Sequence, residues 1–112
     1  MQSGRCAKAV LIRATALVLL ATSGCASFQA ARFYHHGTEA LDRGDTDAAI
    51  FDLEQAAARA PRASAVQNHL GLAYTEAGRN GEALTAFRRA VELDCENAAA
   101  QENLAAAEAR AH

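Results

Sequence analysis

The chain repeats itself. When residues 30–63 are laid over residues 64–97, Gly37 falls on Gly71, Gly44 on Gly78, Ala49 on Ala83 and Ala56 on Ala90, with no gap. Ile50 falls on Leu84 and Leu53 on Phe87. Matches of residue type at one fixed 34-residue offset constrain the fold more than composition does. Each copy is one supersecondary unit, and neighbouring copies must stack to bury a shared core. A third, truncated copy begins at Ala98 and places Leu104 under Leu70.

The repeating unit is helical. Alanine, the best helix former, fills 30 of the 112 positions, and the single proline is Pro61. Trp is absent and only six residues are Phe or Tyr, which argues against sandwiches and barrels. Gly44 and Gly78 suit left-handed C-caps, Thr46 and Asn80 suit N-caps, and Ser64-Ala65-Val66-Gln67 has a capping-box pattern. These signals predict an all-α chain with helices near 28–43, 46–60, 63–77, 80–93 and 97–110. Small residues at Gly37, Gly71, Ala49, Ala83, Ala56 and Ala90 let paired helices approach closely. Leu53, Leu70, Tyr74 and Phe87 fill the space beside them.

Charge divides the chain in two. Residues 1–24 carry Arg5, Lys8 and Arg13 and no acid, whereas residues 25–112 carry eight Arg and all 13 acids, a net of −5. An acidic body lacks the basic face that nucleic acid requires, so no nucleic-acid partner is expected. The basic start precedes an apolar run, residues 14–21, and then small residues, Thr22-Ser23-Gly24-Cys25-Ala26-Ser27. That is the three-part layout of a secretory signal peptide. The run is too short to be read as a permanent span.

The end of this segment resembles the lipobox of bacterial lipoproteins. Ser23-Gly24-Cys25 fits its last three positions, and Thr22 stands where Leu is usual. The resemblance implies a leader over 1–24, an acylated Cys25, a tether over 25–29 and, with Ala26 following, an outer-membrane lipoprotein facing the periplasm. The alternative is cleavage near Gly24 or Ala26 by the general signal peptidase, giving a soluble periplasmic protein.

The body resembles the tetratricopeptide repeat. Leu70-Gly71-Leu72-Ala73-Tyr74, Gly78, Ala83, Phe87 and Ala90 match its signature in the second copy. Phe33, Gly37, Gly44, Ala49, Leu53, Ala56 and Pro61 match it in the first. His36, Ala40, Gln67 and Cys95 depart from the pattern, which has Leu, Tyr, Trp and Pro there. The resemblance implies a short solenoid: one repeat over 30–63, a second over 64–97, and a capping helix or partial third repeat over 98–112. The cap would cover its neighbour with Leu104 and a ridge of Ala100, Ala107 and Ala111.

Reactive chemistry is sparse. His35 and His36 are adjacent, about 100° apart on a helix, and no His pair has the i, i+4 spacing of a helical zinc site. No metal or cofactor is expected, and His36 reads as a semi-buried core residue. Cys6 would leave with the leader and Cys25 would be acylated. Cys95 would then be the one free thiol, inert or paired between molecules. Ser27 and Ser64 lie outside any nucleophile-elbow context, so no catalytic residue is expected.

What remains is a surface. The tetratricopeptide resemblance implies a concave face lined by the first helix of each repeat. Carried over, this places Ala31, Tyr34, Thr38, Leu41 and Asp42 there from repeat one, and Ala65, Asn68, Leu72, Thr75 and Glu76 from repeat two. The last helix adds Ala99, Glu102, Ala106, Ala109 and Arg110. The chain has no Lys in its body and lacks the basic clamp of the chaperone-binding branch. The expectation is a non-enzymatic adaptor that binds a peptide or helix of another envelope protein, with self-association also open. The alternative is an accessory subunit of an enzyme, secretion or pilus complex.

Overall fold

The computed structural model describes residues 23–112; the expected leader falls almost wholly outside the described residues, as do Cys6 and Thr22. Five helices follow in order among the described residues: α1 (Ser23–Asp42), α2 (Thr46–Arg59), α3 (Ser64–Glu76), α4 (Asn80–Leu93) and α5 (Ala98–Ala111). No strand occurs among them. The chain is an all-α stack of two antiparallel hairpins closed by α5, as expected. Helix α1 reaches back to Ser23, so residues 25–29, expected as a tether, are helical. The physical reason is local: nothing between Cys25 and Phe33 breaks a helix, since the stretch holds neither Gly nor Pro.

Two glycine turns set the antiparallel course. Gly44 and Gly78 have φ of 75° and 73°, in the left-handed region that glycine alone enters without a Cβ penalty. Each closes a Schellman motif. Gly44 N–H donates to the Leu41 carbonyl at 3.0 Å, and Asp45 N–H to Ala40 at 2.9 Å. One period on, Gly78 N–H donates to Thr75 at 3.0 Å and Arg79 N–H to Tyr74 at 2.8 Å.

The N-caps differ from expectation. Asp45, not Thr46, caps α2 by accepting from Ala48 N–H at 3.3 Å. Arg79, not Asn80, is the α4 cap, with no side-chain bond to the helix backbone, and Thr46 and Asn80 are first helical residues. The Ser64 capping box does not form either. Its hydroxyl instead donates across to the Ala90 carbonyl at 2.8 Å and accepts from Asn97 Nδ2 at 2.9 Å. Asn97 caps α5 by accepting from Ala100 N–H at 3.1 Å.

The core lies between the paired helices. Ala49, Leu53, Ala56, Ala73, Phe87, Ala90 and Ala100 are at most 1% exposed. Gly71 lies against the Phe87 ring so closely that a Cβ there would sit 2.5 Å from it. Gly37 stands in the same relation to Leu53, at 2.7 Å. Each glycine is a slot for the large side chain of its partner helix. Helix α5 buries Ala100 and Ala107 and half-buries Leu104, while Ala111, expected in the ridge, is exposed. It sits at the helix end, beyond the last turn that meets α4.

Two further expectations are corrected. His36 is exposed, not a core residue. Its counterpart Leu70 is buried because α3 has α2 on one side and α4 on the other, whereas α1 has α2 and only the edge of α3. Cys95, in the α4–α5 turn, is disulfide-bonded in the intact chain, where the lone thiol was expected of a chain already processed. The count that isolated it removed a cysteine by processing; the intact chain has three, of which Cys25 is free and exposed.

Glycine substitutions should separate contact from open space. Gly71→Ala should cost about 1–3 kcal/mol through overpacking against Phe87. Gly81→Ala meets nothing within 4 Å and should be neutral or stabilise by up to about 1 kcal/mol. Thermal melts followed by circular dichroism check both. Deleting residues 98–112 should leave the remaining body largely unfolded at room temperature, because it uncovers α4 in a chain with little stability to spare. A cooperative, monomeric melt of the truncated chain would show that two hairpins suffice.

Candidate functional site

The helix contacts define a curved stack. Helix α1 touches α3 and α3 touches α5, whereas α2 and α4 do not touch. The odd-numbered helices therefore crowd the inside of the curve and the even-numbered ones splay on the outside. That inner surface is the candidate interaction face.

A polar ladder crosses it. The Tyr34 hydroxyl lies 3.1 Å from His69 Nδ1, and the two rings meet edge-on with centroids 5.3 Å apart. Asn103 Nδ2 donates to Asn68 Oδ1 at 2.9 Å. Both pairs are separated by 35 residues, one more than the repeat. Residue 34 and residue 68 are thus the same repeat position, and each is bonded to the following position of the next inner helix. His69 Nδ1 also lies 2.9 Å from the Ala65 carbonyl of its own helix.

The expected face residues fall into three groups. Tyr34 is half-buried and Asn68 is buried, and both are engaged in the ladder rather than open to a ligand. Thr38 and Thr75 are half-buried and turn back on their own helices, donating to the His35 carbonyl at 2.9 Å and the Gly71 carbonyl at 2.8 Å. Leu41 and Leu72 are half-buried, packed against the core with part of each side chain outward. Asp42 and Glu76 are exposed, in the last turn of α1 and of α3. His69 and Asn103 were not singled out from the sequence. The signal was there in the spacing, since both follow a face position by one residue.

Outside the curve, two grooves run between paired helices. One, of about 280 Å³, is lined by Gln29, Arg32, Phe33, His36 and Arg59. The Arg59 guanidinium sits 4.6 Å above the Phe33 ring and donates to Gln29 Oε1 at 3.3 Å and Gln55 Oε1 at 2.8 Å. The other, of about 360 Å³, lies between α3 and α4 and includes Leu70, Tyr74, Glu82 and Arg89. No group of three metal-ligating side chains occurs among the described residues. No helix among them is long and apolar enough to cross a membrane.

Tyr74 gives the second groove a titratable marker. Its hydroxyl donates to Glu54 Oε1 at 2.6 Å, tying α3 to α2, and Arg79 lies 4.7 Å above its ring. Burial first, then the bond and charge of Glu54, push the phenol up from 10 to about 12. A pKa raised by folding stabilises the folded state fully below the unfolded value, and that stability is lost as pH rises through the folded one. The chain should therefore weaken between pH 10 and pH 12, and Tyr74→Phe should remove that step. Ultraviolet titration of the phenolate and helix content followed in parallel check it.

The comparison with known families bears on the repeat unit. A family pattern described as "Tetratricopeptide repeat" matches residues 34–98, more than half of the chain, from the ladder tyrosine of α1 to the first residue of α5. No curated protein matches the chain. The matched span holds both glycine slots, both Schellman turns and the first ladder pair. With these two helix hairpins and their interaction-type repeats, the chain belongs to the tetratricopeptide repeat family.

Proposed function

We propose that the chain is a non-enzymatic adaptor, held in the bacterial cell envelope through an acylated Cys25, that binds a peptide or helix of another envelope protein on its inner face. The observation that carries the binding reading is the inner face itself, three helices braced by side-chain bonds; the half-buried Leu41 and Leu72 are read as its apolar anchors. A braced surface loses little conformational entropy when a partner docks. Repeat solenoids use such faces to hold extended peptides or helices.

The side chains left open describe the partner. Asn68, Thr38 and Thr75 are satisfied within the chain, so specificity falls to the two leucines and to the carboxylates of Asp42 and Glu76. The partner segment is accordingly amphipathic, with aliphatic anchors spaced to meet Leu41 and Leu72 and a basic residue toward the carboxylate end. Anchoring is supported by the basic and apolar layout of residues 1–21, by Ser23-Gly24-Cys25, and by a Cys25 that is free and exposed.

Two measurements test the proposal. Cells fed radioactive palmitate should label the chain, and Cys25→Ser should abolish the label; normal labelling of that variant would overturn the anchor. Crosslinking in membranes should capture a protein partner, and Leu41→Asp with Leu72→Asp should lose it by at least tenfold while helix content is kept. Capture that survives both substitutions would remove the inner face from binding.

A further inference from the structure

The acids are segregated along the fold. The first acid of the chain is Glu39, and none lies between Glu54 and Glu76. Because α1 and α2 run antiparallel, the N-terminal half of α1, the last turn of α2 and the start of α3 share one end of the first hairpin. That end is free of acids. It carries Arg32, Arg59 and Arg62, none of them in an ion pair among the described residues. The opposite end carries Glu39, Asp42, Asp45 and Asp47.

Apolar surface accompanies the charge. Phe28 is 67% exposed on α1, one turn from Arg32, and Phe33 lies half-buried under Arg59 in the groove they share. Cys25 is on the same helix, roughly 10 Å along the axis from Arg32 at 1.5 Å per residue. In the proposed anchored form the acylated Cys25 opens this helix and so ties this end of the fold to the membrane. A net-acidic body with one cationic, aromatic-tipped end beside its attachment point complements one occupant best, an anionic bilayer surface.

We infer that the acid-free end of the first hairpin, carrying Phe28, Arg32, Arg59 and Arg62, docks on an anionic phospholipid surface and holds the solenoid upright on it. The corresponding end of the second hairpin carries Glu92, Asp94 and Glu96 against Arg88 and Arg89, which pair with Glu108 and Glu92, so it presents no unpaired cationic patch to that surface. The stack therefore meets the bilayer by its first repeat alone, with the inner face left clear. This deepens the envelope reading and rests on it for its setting, but acylation in cells and docking on vesicles are read separately, so either can fail alone.

The test uses the full purified chain with vesicles of phosphatidylcholine alone or mixed with phosphatidylglycerol. Binding should gain from phosphatidylglycerol and lose that gain with salt. Replacing Arg32, Arg59 and Arg62 together by Gln should reduce the gain by about fivefold per arginine. Replacing Arg43, Arg88 and Arg89 by Gln, an equal change in net charge, should preserve it. Equal loss in the two triple variants, or loss in neither, overturns the inference, because the contribution of Arg5, Lys8 and Arg13 is common to both. Should the first triple variant fold poorly, the absence of Trp from the chain supplies a second readout. Ala58→Trp, at the docking end of α2, should be quenched by brominated lipid more strongly than Phe51→Trp, toward the other end. Equal quenching overturns the orientation. Arginine-dependent binding to single-stranded DNA with no binding to vesicles overturns the choice of a bilayer.

Discussion

The close approach of Gly71 to the Phe87 ring, repeated as Gly37 against Leu53, is the constraint from which the other features follow. A helix pair packed glycine to large side chain has its axes drawn together, and the buried alanines at 49, 56, 83 and 90 then meet the partner helix directly. Large side chains on both helices would hold the pair apart and leave those methyls facing voids, with the loss of dispersion that voids bring. The Schellman turns at Gly44 and Gly78 serve the same end. They return the chain within a few residues, at the angle that puts each glycine slot opposite its plug. An alanine-rich chain with few aromatics can thereby make a core, because distance is short where side chains are small.

Between hairpins a different interaction prevails. The inner helices meet through polar pairs, Tyr34 with His69 and Asn68 with Asn103, at a spacing one residue longer than the repeat. Apolar packing resists separation but tolerates sliding; a side-chain hydrogen bond between half-buried groups has one geometry and fixes register. Ser64 adds a third tie, bonded to both the Ala90 carbonyl and Asn97, so that the end of α4 and the cap of α5 are fastened to the start of α3. Among the described residues the ladder is open at its beginning. His35, the repeat equivalent of His69 and Asn103, lies on the first described helix and approaches Glu39 on its own helix at 3.4 Å.

The fold was largely legible in the sequence because it is written twice. A period of 34 residues, glycines at the turns and helix-forming alanines between them place the α2 to α5 boundaries within one residue of those observed. Single-residue features were less legible. Thr46 and Asn80 are good cap residues, but the cap is the last residue outside the helix, and the Schellman turns place Asp45 and Arg79 there. His36 was misread because burial at that position depends on helices on both sides, and among the described residues α1 packs on α2 with only the edge of α3 beside it. At the face, the resemblance supplied the positions but not their occupation. That Asn68 bonds Asn103 depends on the rotation of α5 relative to α3, and no periodicity in one helix encodes the rotation of another.

That occupation limits how tightly the inner face can hold a partner. With Asn68, Thr38 and Thr75 satisfied internally, a docked segment gains mainly from covering Leu41 and Leu72 and from two solvent-exposed carboxylates, whose ion pairs contribute about 0–1 kcal/mol each. Association must first offset the loss of translational and rotational freedom, so so few anchors yield a weak, readily reversed complex in free solution. Confinement changes the balance without adding a contact. When adaptor and partner share a membrane, encounter occurs at an effective concentration set by the tether and not by the bulk. The proposed upright docking would spend none of that gain on freeing the inner face from the lipid. Under the proposed anchoring, weak recognition and firm attachment would be complementary: the attachment would supply occupancy, and the few side chains of the face would supply selection.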